Sequence, residues 1–363
     1  MTQKKIESLR PTYALIDLKS FAHNIEQARS LSGTDIIAII KADGYGHGAL
    51  KMAEYAWRNC GVKRFGVATV LEGMILREHL GREPMIFLLG YVDQFLHEEL
   101  FSNNLIPAVF DDEIASAYHS YLVKHDRTAD ITLKIDTGMH RLGYQPDMDY
   151  YSFTVKYPRF RVCHVMSHLS SSDTDLEYSN HQKELFSAFI KKNHIKSNTS
   201  LLNSSGIANI KNEFSLARPG IMLYGYLYGN NEVALKKVMR IYSKVVHIKR
   251  IKSGETVSYN RRFTADREMT VGVVPIGYAD GYSRRFSNRA EMRVNGVNCP
   301  VLGTVCMDMT MIDLTNVPLN GMYPEVEILG DNITADKWAE LADTISYEVL
   351  CGISDRIPRI YKD

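Results

Sequence analysis

Several side chains capable of chemistry stand at the ends of apolar runs. Lys41 closes the run Ile36–Lys41 and is followed by Ala42-Asp43-Gly44-Tyr45-Gly46-His47-Gly48. A lysine that finishes a buried strand must find a partner or give up its charge. It is also the side chain that forms a Schiff base with a carbonyl cofactor, and glycines behind it let backbone approach a bound group. A lysine running its stem out to solvent suits the same position, so position alone leaves both readings open. Lys134 and Asp136 share another run, which continues through Thr137-Gly138-Met139-His140 to Arg141. Further runs end at His168 and at Asn203-Ser204-Ser205, and Arg218-Pro219-Gly220-Ile221 follows shortly after. Asn-Ser-Ser-Gly also reads as a plain turn. Arg218 has Leu216-Ala217 before it and Pro219 after it, an apolar setting that favours a buried role.

Downstream stand Tyr259, in GETVSYN, and Tyr278, in PIGYADGY. With 21 tyrosines in the chain, the ordinary reading of any one of them is packing. Asp308, within VCMDMTMIDL, reads as a buried carboxylate that needs a cation or several donors. Cys306 could act as a nucleophile, but no histidine adjoins it, and an inert thiol is the commoner case.

The elements that would position these residues alternate. The strand candidates are Tyr13–Asp17, Ile36–Lys41, Phe65–Thr69, Met85–Leu89, Leu105–Phe110, Ile131–Asp136, Arg161–His168 and Ser200–Asn203. Most are continuous apolar runs, as parallel strands buried on both faces require. Between them lie amphipathic segments: Ser20–Leu31, with Ser20 as N-cap, Asp111–His125 and Thr174–Lys192. Eight strand–helix units in this length predict a (β/α)8 barrel, with its chemistry at the C-terminal strand ends. In that fold the loops after strands seven and eight often hold phosphate, which directs attention to Ser204, Ser205 and the backbone at Gly220-Ile221. An open doubly wound sheet shares the pattern. After Gly229-Asn230-Asn231 the chain changes to short strands and turns, with Val294-Asn295-Gly296-Val297 as a hairpin signal and one helical stretch, Ala335–Asp343. The reading is therefore an α/β barrel domain over 1–230 and a mostly antiparallel β domain over 231–363.

Bulk properties exclude several classes. Lysine plus arginine number 43 against 42 acidic residues, which gives no general attraction to nucleic acid or to an anionic membrane. An anion site must therefore be local. The five scattered cysteines form no CxxC pair and fit neither a disulfide framework nor a zinc site. No metal is expected. No apolar stretch is long enough to span a bilayer, and the N-terminus lacks a signal-peptide core. A cytoplasmic enzyme is expected.

Taken together, AIIKADGYGHG, KIDTGMHRLG, ARPGIMLYG, VSYN, PIGYADGY, VCMDM and ISYEVLCGISDRIPRIY resemble the alanine racemase family, in family order and over nearly the whole chain. The first of these is the most specific. The resemblance implies a pyridoxal 5'-phosphate enzyme that interconverts L- and D-alanine and supplies D-alanine for peptidoglycan. It also implies a head-to-tail homodimer whose active sites combine the barrel of one subunit with the β domain of the other. On this resemblance Lys41 carries the cofactor and is the base on the D face, and Tyr259 is the base on the L face. Arg218 pairs with the pyridine nitrogen, and His168 lies beside the ring. Tyr45, Ser204, Gly220, Ile221 and Tyr347 match phosphate-side contacts. Arg141, the Met307 backbone and Tyr278 match substrate contacts and the entrance, with Lys134 and Asp308 in support. Lys134 matches a lysine often carbamylated in the family. Two bases on opposite faces suit racemisation, and an arginine at the ring nitrogen does not readily give up a proton.

The sequence departs from the family pattern at three places. His140 stands where a small residue is usual, Thr304 replaces an arginine common before VCMD, and Met309 replaces a usual glutamine. Rival readings are a serine or broad-specificity racemase of the same fold, a basic-amino-acid decarboxylase and a non-catalytic cofactor carrier. Tyr278 and Tyr347 would favour a methyl side chain, though apolar walls reject an added hydroxyl poorly. The characteristic acidic and cysteine-bearing segments of the decarboxylases are not apparent. The carriers lack a second domain.

Overall fold

A computed structural model describes residues 10–229, 232–319 and 323–363. The proposed division at 230/231 falls at residues outside those described. The chain forms two compact units, one of residues 20–44 and 48–236 and the other of residues 10–19, 45–47 and 237–363.

The first unit is a parallel barrel. Its strands run Asp35–Ile36 with Ala38–Ile39, then Arg64–Val67, Met85–Leu88, Leu105–Val109, Ala129–Lys134, Phe160–Met166, Asn198–Ser200 and Leu216–Ala217. Closure comes from a single segment. Asp35–Ile36 pairs with Leu216–Ala217, and Ala38–Ile39 pairs with Arg64–Val67, so residues 35–39 join both ends of the ring. Ile36 to Ala38, Ile86, Ile131 and Leu133 are inaccessible to solvent, as strands covered on both faces should be. Helices follow the strands with local start signals. Asp111 caps Asp112–Lys124 by accepting from Ile114 N at 2.8 Å, and Asp175 caps Leu176–Lys192 by accepting from Tyr178 N at 2.9 Å. Thr69 and Glu72 form a capping box on Val70–Leu80.

Two sequence expectations change here. Tyr13–Asp17 is not a barrel strand. It pairs antiparallel with Met239–Lys244 and parallel with Arg359–Lys362 in the second unit. Its burial alternates, with Ala14 and Ile16 inside, as in a sheet covered on one face. Leu216–Ala217 takes the eighth barrel position, too short a strand to register as an apolar run. Ser20 lies inside the helix Leu18–Ser32 rather than capping it, and Leu31 is exposed.

The second unit is mostly antiparallel. Its six-stranded sheet runs Val297–Pro300, Glu291–Val294, Glu325–Leu329, Met239–Lys244, Tyr13–Asp17, Arg359–Lys362, and a three-stranded sheet joins His247–Ile251, Met269–Val274 and Thr310–Asp313. The hairpin at Asn295-Gly296 forms as expected, with both turn residues at positive φ (47° and 81°). Ala335–Ala342 is helical and stops at Asp343 (φ 57°). Trp338, Tyr282 and Phe286 pack edge-on and tilted at 4.8–5.2 Å between centroids and fill the core there.

Candidate active site

The barrel's chemical residues collect at the C-terminal ends of its strands. Lys41 follows directly on the first strand and opens a turn of helix, Lys41–Gly46, with an unusual hand. Ala42, Asp43, Gly44, Tyr45 and Gly46 all have positive φ, between 50° and 78°. A left-handed turn costs roughly 1–2 kcal/mol for each non-glycine residue, so it persists only where it is held. Glu72 accepts from Ala42 N at 2.8 Å, and Asp43 Oδ1 accepts from Ala49 N at 2.8 Å. Ile40 O accepts from Gly44 N at 2.9 Å.

Arg218 leaves the last, two-residue strand and is buried. Its guanidinium donates to Ser200 Oγ, to Ser167 O, to Leu201 O at 3.1 Å and to His168 Nδ1 at 3.3 Å. These bonds leave Arg218 Nε without a protein acceptor among the described residues. Burial lowers the Arg218 pKa to about 9, so it stays protonated at neutral pH. His168 is held neutral by burial first, then by the charges of Arg218, Arg141, Lys134 and Lys41, which push its pKa far down. Lys134 is buried, and burial together with Arg141, Arg218 and Lys41 lowers its pKa to about 8 against the pull of Asp136. Asp136 is itself committed: its Oδ1 accepts from the backbone N–H groups of Gly138, Met139 and His140 at 2.9–3.1 Å. His140 sits at φ 53°, a conformation that favours glycine and that histidine tolerates better than most.

Next to Arg218, the Ser204 hydroxyl oxygen accepts from Gly220 N at 3.0 Å and Met222 N at 3.2 Å. Its own proton is thereby left to donate outward. Asn203 Oδ1 accepts from Gly206 N and fixes the start of Ser204–Asn209. The unit thus gathers four cations around a neutral imidazole, and the nearby Asp136 has one carboxylate oxygen taken up by three backbone N–H groups. This donor set suits an anionic ligand with an acceptor aimed at Arg218 and an amine-reactive carbon at Lys41.

The second unit carries the other sequence candidates. Tyr259 is 68% exposed on a short turn, and Tyr278 and Met307 are about half exposed. Tyr278 N donates to Cys306 O at 3.0 Å and Ala279 N to Met307 O at 3.1 Å, which brings the Tyr278 and Met307 segments together. A Cβ on Gly277 would lie 2.3 Å from both of those carbonyl oxygens, so only glycine fits there. Tyr45 and Tyr347 lie 6.0 Å apart, ring to ring. Burial, Tyr347 and Cys351 raise the Tyr45 pKa and keep it protonated.

Asp308 is not the buried carboxylate expected from its apolar context. It is half exposed and pairs with Arg356 at 2.7 Å. The surrounding methionines misled that reading, since Met307 and Met309 are exposed as well. In this unit Asp280 is a carboxylate that is fully inaccessible. It accepts two bonds from Arg10 at 2.6–2.7 Å and one from Gly277 N, anchoring the turn that carries Tyr278. Its signal was the Gly-Tyr-Ala-Asp-Gly turn sequence. Glu72 and Ser200 also support the barrel cluster and carried no sequence signal of their own, while Thr304, which supports the Tyr259 turn, stood out only as a departure from the family pattern.

The family profile described as alanine racemase, N-terminal domain, matches residues 16–228, and alanine racemase, C-terminal domain, matches residues 238–361. The chain belongs to the alanine racemase family. Alanine racemase 1 of Clostridium acetobutylicum is 38% identical over 97% of this chain and 96% of its own length, and alanine racemase of Clostridium novyi is 38% identical with the same coverage. Among solved structures, alanine racemase of Clostridium difficile superposes with a TM-score of 0.90 at 29% identity, covering 97% of this chain and 96% of that one. Alanine racemase of Bartonella henselae, solved with covalently bound pyridoxal phosphate, gives 0.88 at 28% identity over 97% and 99%. The two matches together take in most of both units. Among the described residues no helix is long and apolar enough to cross a membrane, and no cluster of three or more His, Cys, Asp or Glu could hold a metal.

Proposed function

We propose that this chain interconverts L-alanine and D-alanine with pyridoxal 5'-phosphate, and that its D-alanine serves peptidoglycan synthesis. The observation that carries the reading is the cluster of Lys41, Lys134, Arg141 and Arg218 around neutral His168 at the strand ends of a family barrel. Lys41 would carry the cofactor. Arg218 Nε would face its ring nitrogen, with His168 beside the ring. Ser204, the Gly220 and Ile221 backbone, Tyr45 and Tyr347 would hold its phosphate. When bound, the cofactor supplies an electron sink that makes the α-proton of an amino acid removable at neutral pH.

The rest of the work belongs to side chains. The Lys41 amine would take or return the α-proton on the D face, and the Tyr259 hydroxyl would do so on the L face. A phenol acts as a base more readily beside cations, and the cationic cluster would provide them. Arg141 and the Met307 N–H would receive the substrate carboxylate, while Tyr278 would stand at the entrance. Asp308 would support that side through Arg356. Lys134, partly neutral near pH 7 with a pKa of about 8, is a suitable amine to take up carbon dioxide and release a proton, giving an anion opposite Arg141.

We further propose a homodimer in which Tyr259 serves the barrel of the second subunit. Support comes from the family and from the exposure of Tyr259, Tyr278, Met307 and Met309 on one unit. The working division is a cofactor domain to residue 230 and a β domain from 231, with the strand Tyr13–Asp17 belonging to the latter's sheet. The five free thiols fit the cytoplasm. The test is racemisation of L-alanine by the protein supplied with pyridoxal phosphate, beside L-serine and L-lysine, with Lys41→Ala as control. D-alanine forming fastest, and only with Lys41 intact, is the expected result. L-serine turning over faster would move the specificity, and cofactor bound without turnover would remove the racemase reading.

A further inference from the structure

The turn that carries Tyr259 is backbone-strained on both sides. Ser258 has φ 69° and ψ −175°, a region otherwise left to glycine, and Asn260 and Arg261 follow at φ 59° and 51°. Such conformations are costly and persist only where neighbours hold them. Here the holding residue is Thr304, which is 1% exposed. Its hydroxyl donates to Tyr259 O at 3.1 Å, and its own carbonyl accepts from Ser258 Oγ at 2.5 Å. The two bonds form a reciprocal clamp around the peptide that orients Tyr259.

The clamp is in turn fixed from behind. Gly303 N donates to Asn288 Oδ1 at 2.5 Å, and Val305 N donates to Ser287 Oγ at 3.0 Å. A Cβ on Gly303, which has φ 74°, would lie 2.5 Å from Val257 O, so the two segments are in direct backbone contact. Threonine stands here where the family pattern has arginine. A short buried hydroxyl can reach the Tyr259 carbonyl, whereas a long cation could not stay at that depth without a partner.

We propose that Thr304 is the positioning residue for Tyr259, acting on proton transfer at one face of the substrate through the backbone of residue 259. This rests on the reading of Tyr259 as the L-face base. Thr304→Val keeps the shape and removes the donor. One net hydrogen bond is worth about 0.5–1.5 kcal/mol, so turnover should fall about two- to twelvefold. The isotope effect on α-deuterated L-alanine should rise while that on α-deuterated D-alanine should not. Cofactor binding, read from the visible absorbance of the loaded enzyme, should not change. Thr304→Ser keeps the donor and should restore turnover to within about twofold of the parent.

Slower turnover with unchanged isotope effects would make Thr304 merely structural and overturn the proposal. So would a Thr304→Val enzyme at parental rates, or a Thr304→Ser enzyme as slow as the valine variant. Tyr259→Phe separates the two ideas. If it still exchanges the α-proton of L-alanine, the reading of Tyr259 falls. If it loses that exchange while Thr304→Val matches the parent, only the assignment of Thr304 falls.

Discussion

Replacing Lys134 with methionine keeps the apolar stem and removes a charge that the barrel tolerates poorly. Burial, with Arg141, Arg218 and Lys41 nearby, holds this amine at a pKa of about 8 instead of 10.5. At about 1.4 kcal/mol per pH unit, the protonated form destabilises the folded chain by roughly 3 kcal/mol. The sign follows from proton counting. Between about pH 8 and 10.5 the unfolded chain still binds the proton that the folded chain has released, so stability rises with pH across that window. Below pH 8 both states are largely protonated and the full penalty is present. Lys134→Met should therefore be more stable than the parent by about 2–3 kcal/mol at pH 7, with the difference shrinking toward pH 10.5. The assay is urea unfolding of the cofactor-free protein in buffer freed of carbon dioxide, at fixed protein concentration across this range. A parent and variant that run parallel in pH, or a variant less stable at pH 7, would refute the electrostatic account of Lys134. Added bicarbonate should narrow the gap by stabilising the parent alone, since carbamylation turns the buried cation into an anion facing Arg141.

Three further outcomes are expected. Lys41→Ala should lose covalent cofactor attachment, read by mass after borohydride reduction, together with all racemisation; retained attachment would reassign the lysine. Arg218→Glu should raise the ratio of transamination to racemisation, measured as keto acid formed per turnover, and an unchanged ratio would show that the guanidinium does not restrain the side reaction. Asp280→Ala should lower stability by about 3 kcal/mol in urea unfolding, because it strands Arg10 beside a buried site; a loss under about 1 kcal/mol would mean that water replaces the carboxylate freely.

The barrel was legible because its strands are continuous apolar runs, and runs such as Met85–Leu89 and Leu105–Phe110 needed only length and bounding turns to be read. Tyr13–Asp17 is just as apolar, and nothing local distinguishes a strand covered on one face from one covered on two. Leu216–Ala217 escaped for the opposite reason, since two residues cannot make a run. At the site, the glycines after Lys41 signalled close backbone approach, but not that Ala42, Asp43 and Tyr45 would share their left-handed conformation, which depends on a carboxylate 31 residues on from Lys41, Glu72. Arg218 could be read from its apolar neighbours, whereas its acceptors, two carbonyls, a hydroxyl and an imidazole, come from segments far away in sequence that no spacing encodes. Asp308 shows the limit of context. Methionines flank it in sequence and lie outside in space, while a buried acid, Asp280, sat in a turn sequence that looked solvent-facing.

The most direct test of two bases acting on opposite faces is L-alanine turnover in heavy water, followed by the α-hydrogen content of both enantiomers at early times. The account predicts deuterium in the D-alanine formed and little in the L-alanine remaining, because the proton removed by Tyr259 on one face differs from the one delivered by Lys41 on the other. Deuterium entering both enantiomers at equal rates, with Tyr259→Phe behaving the same, would point to a single base and contradict it.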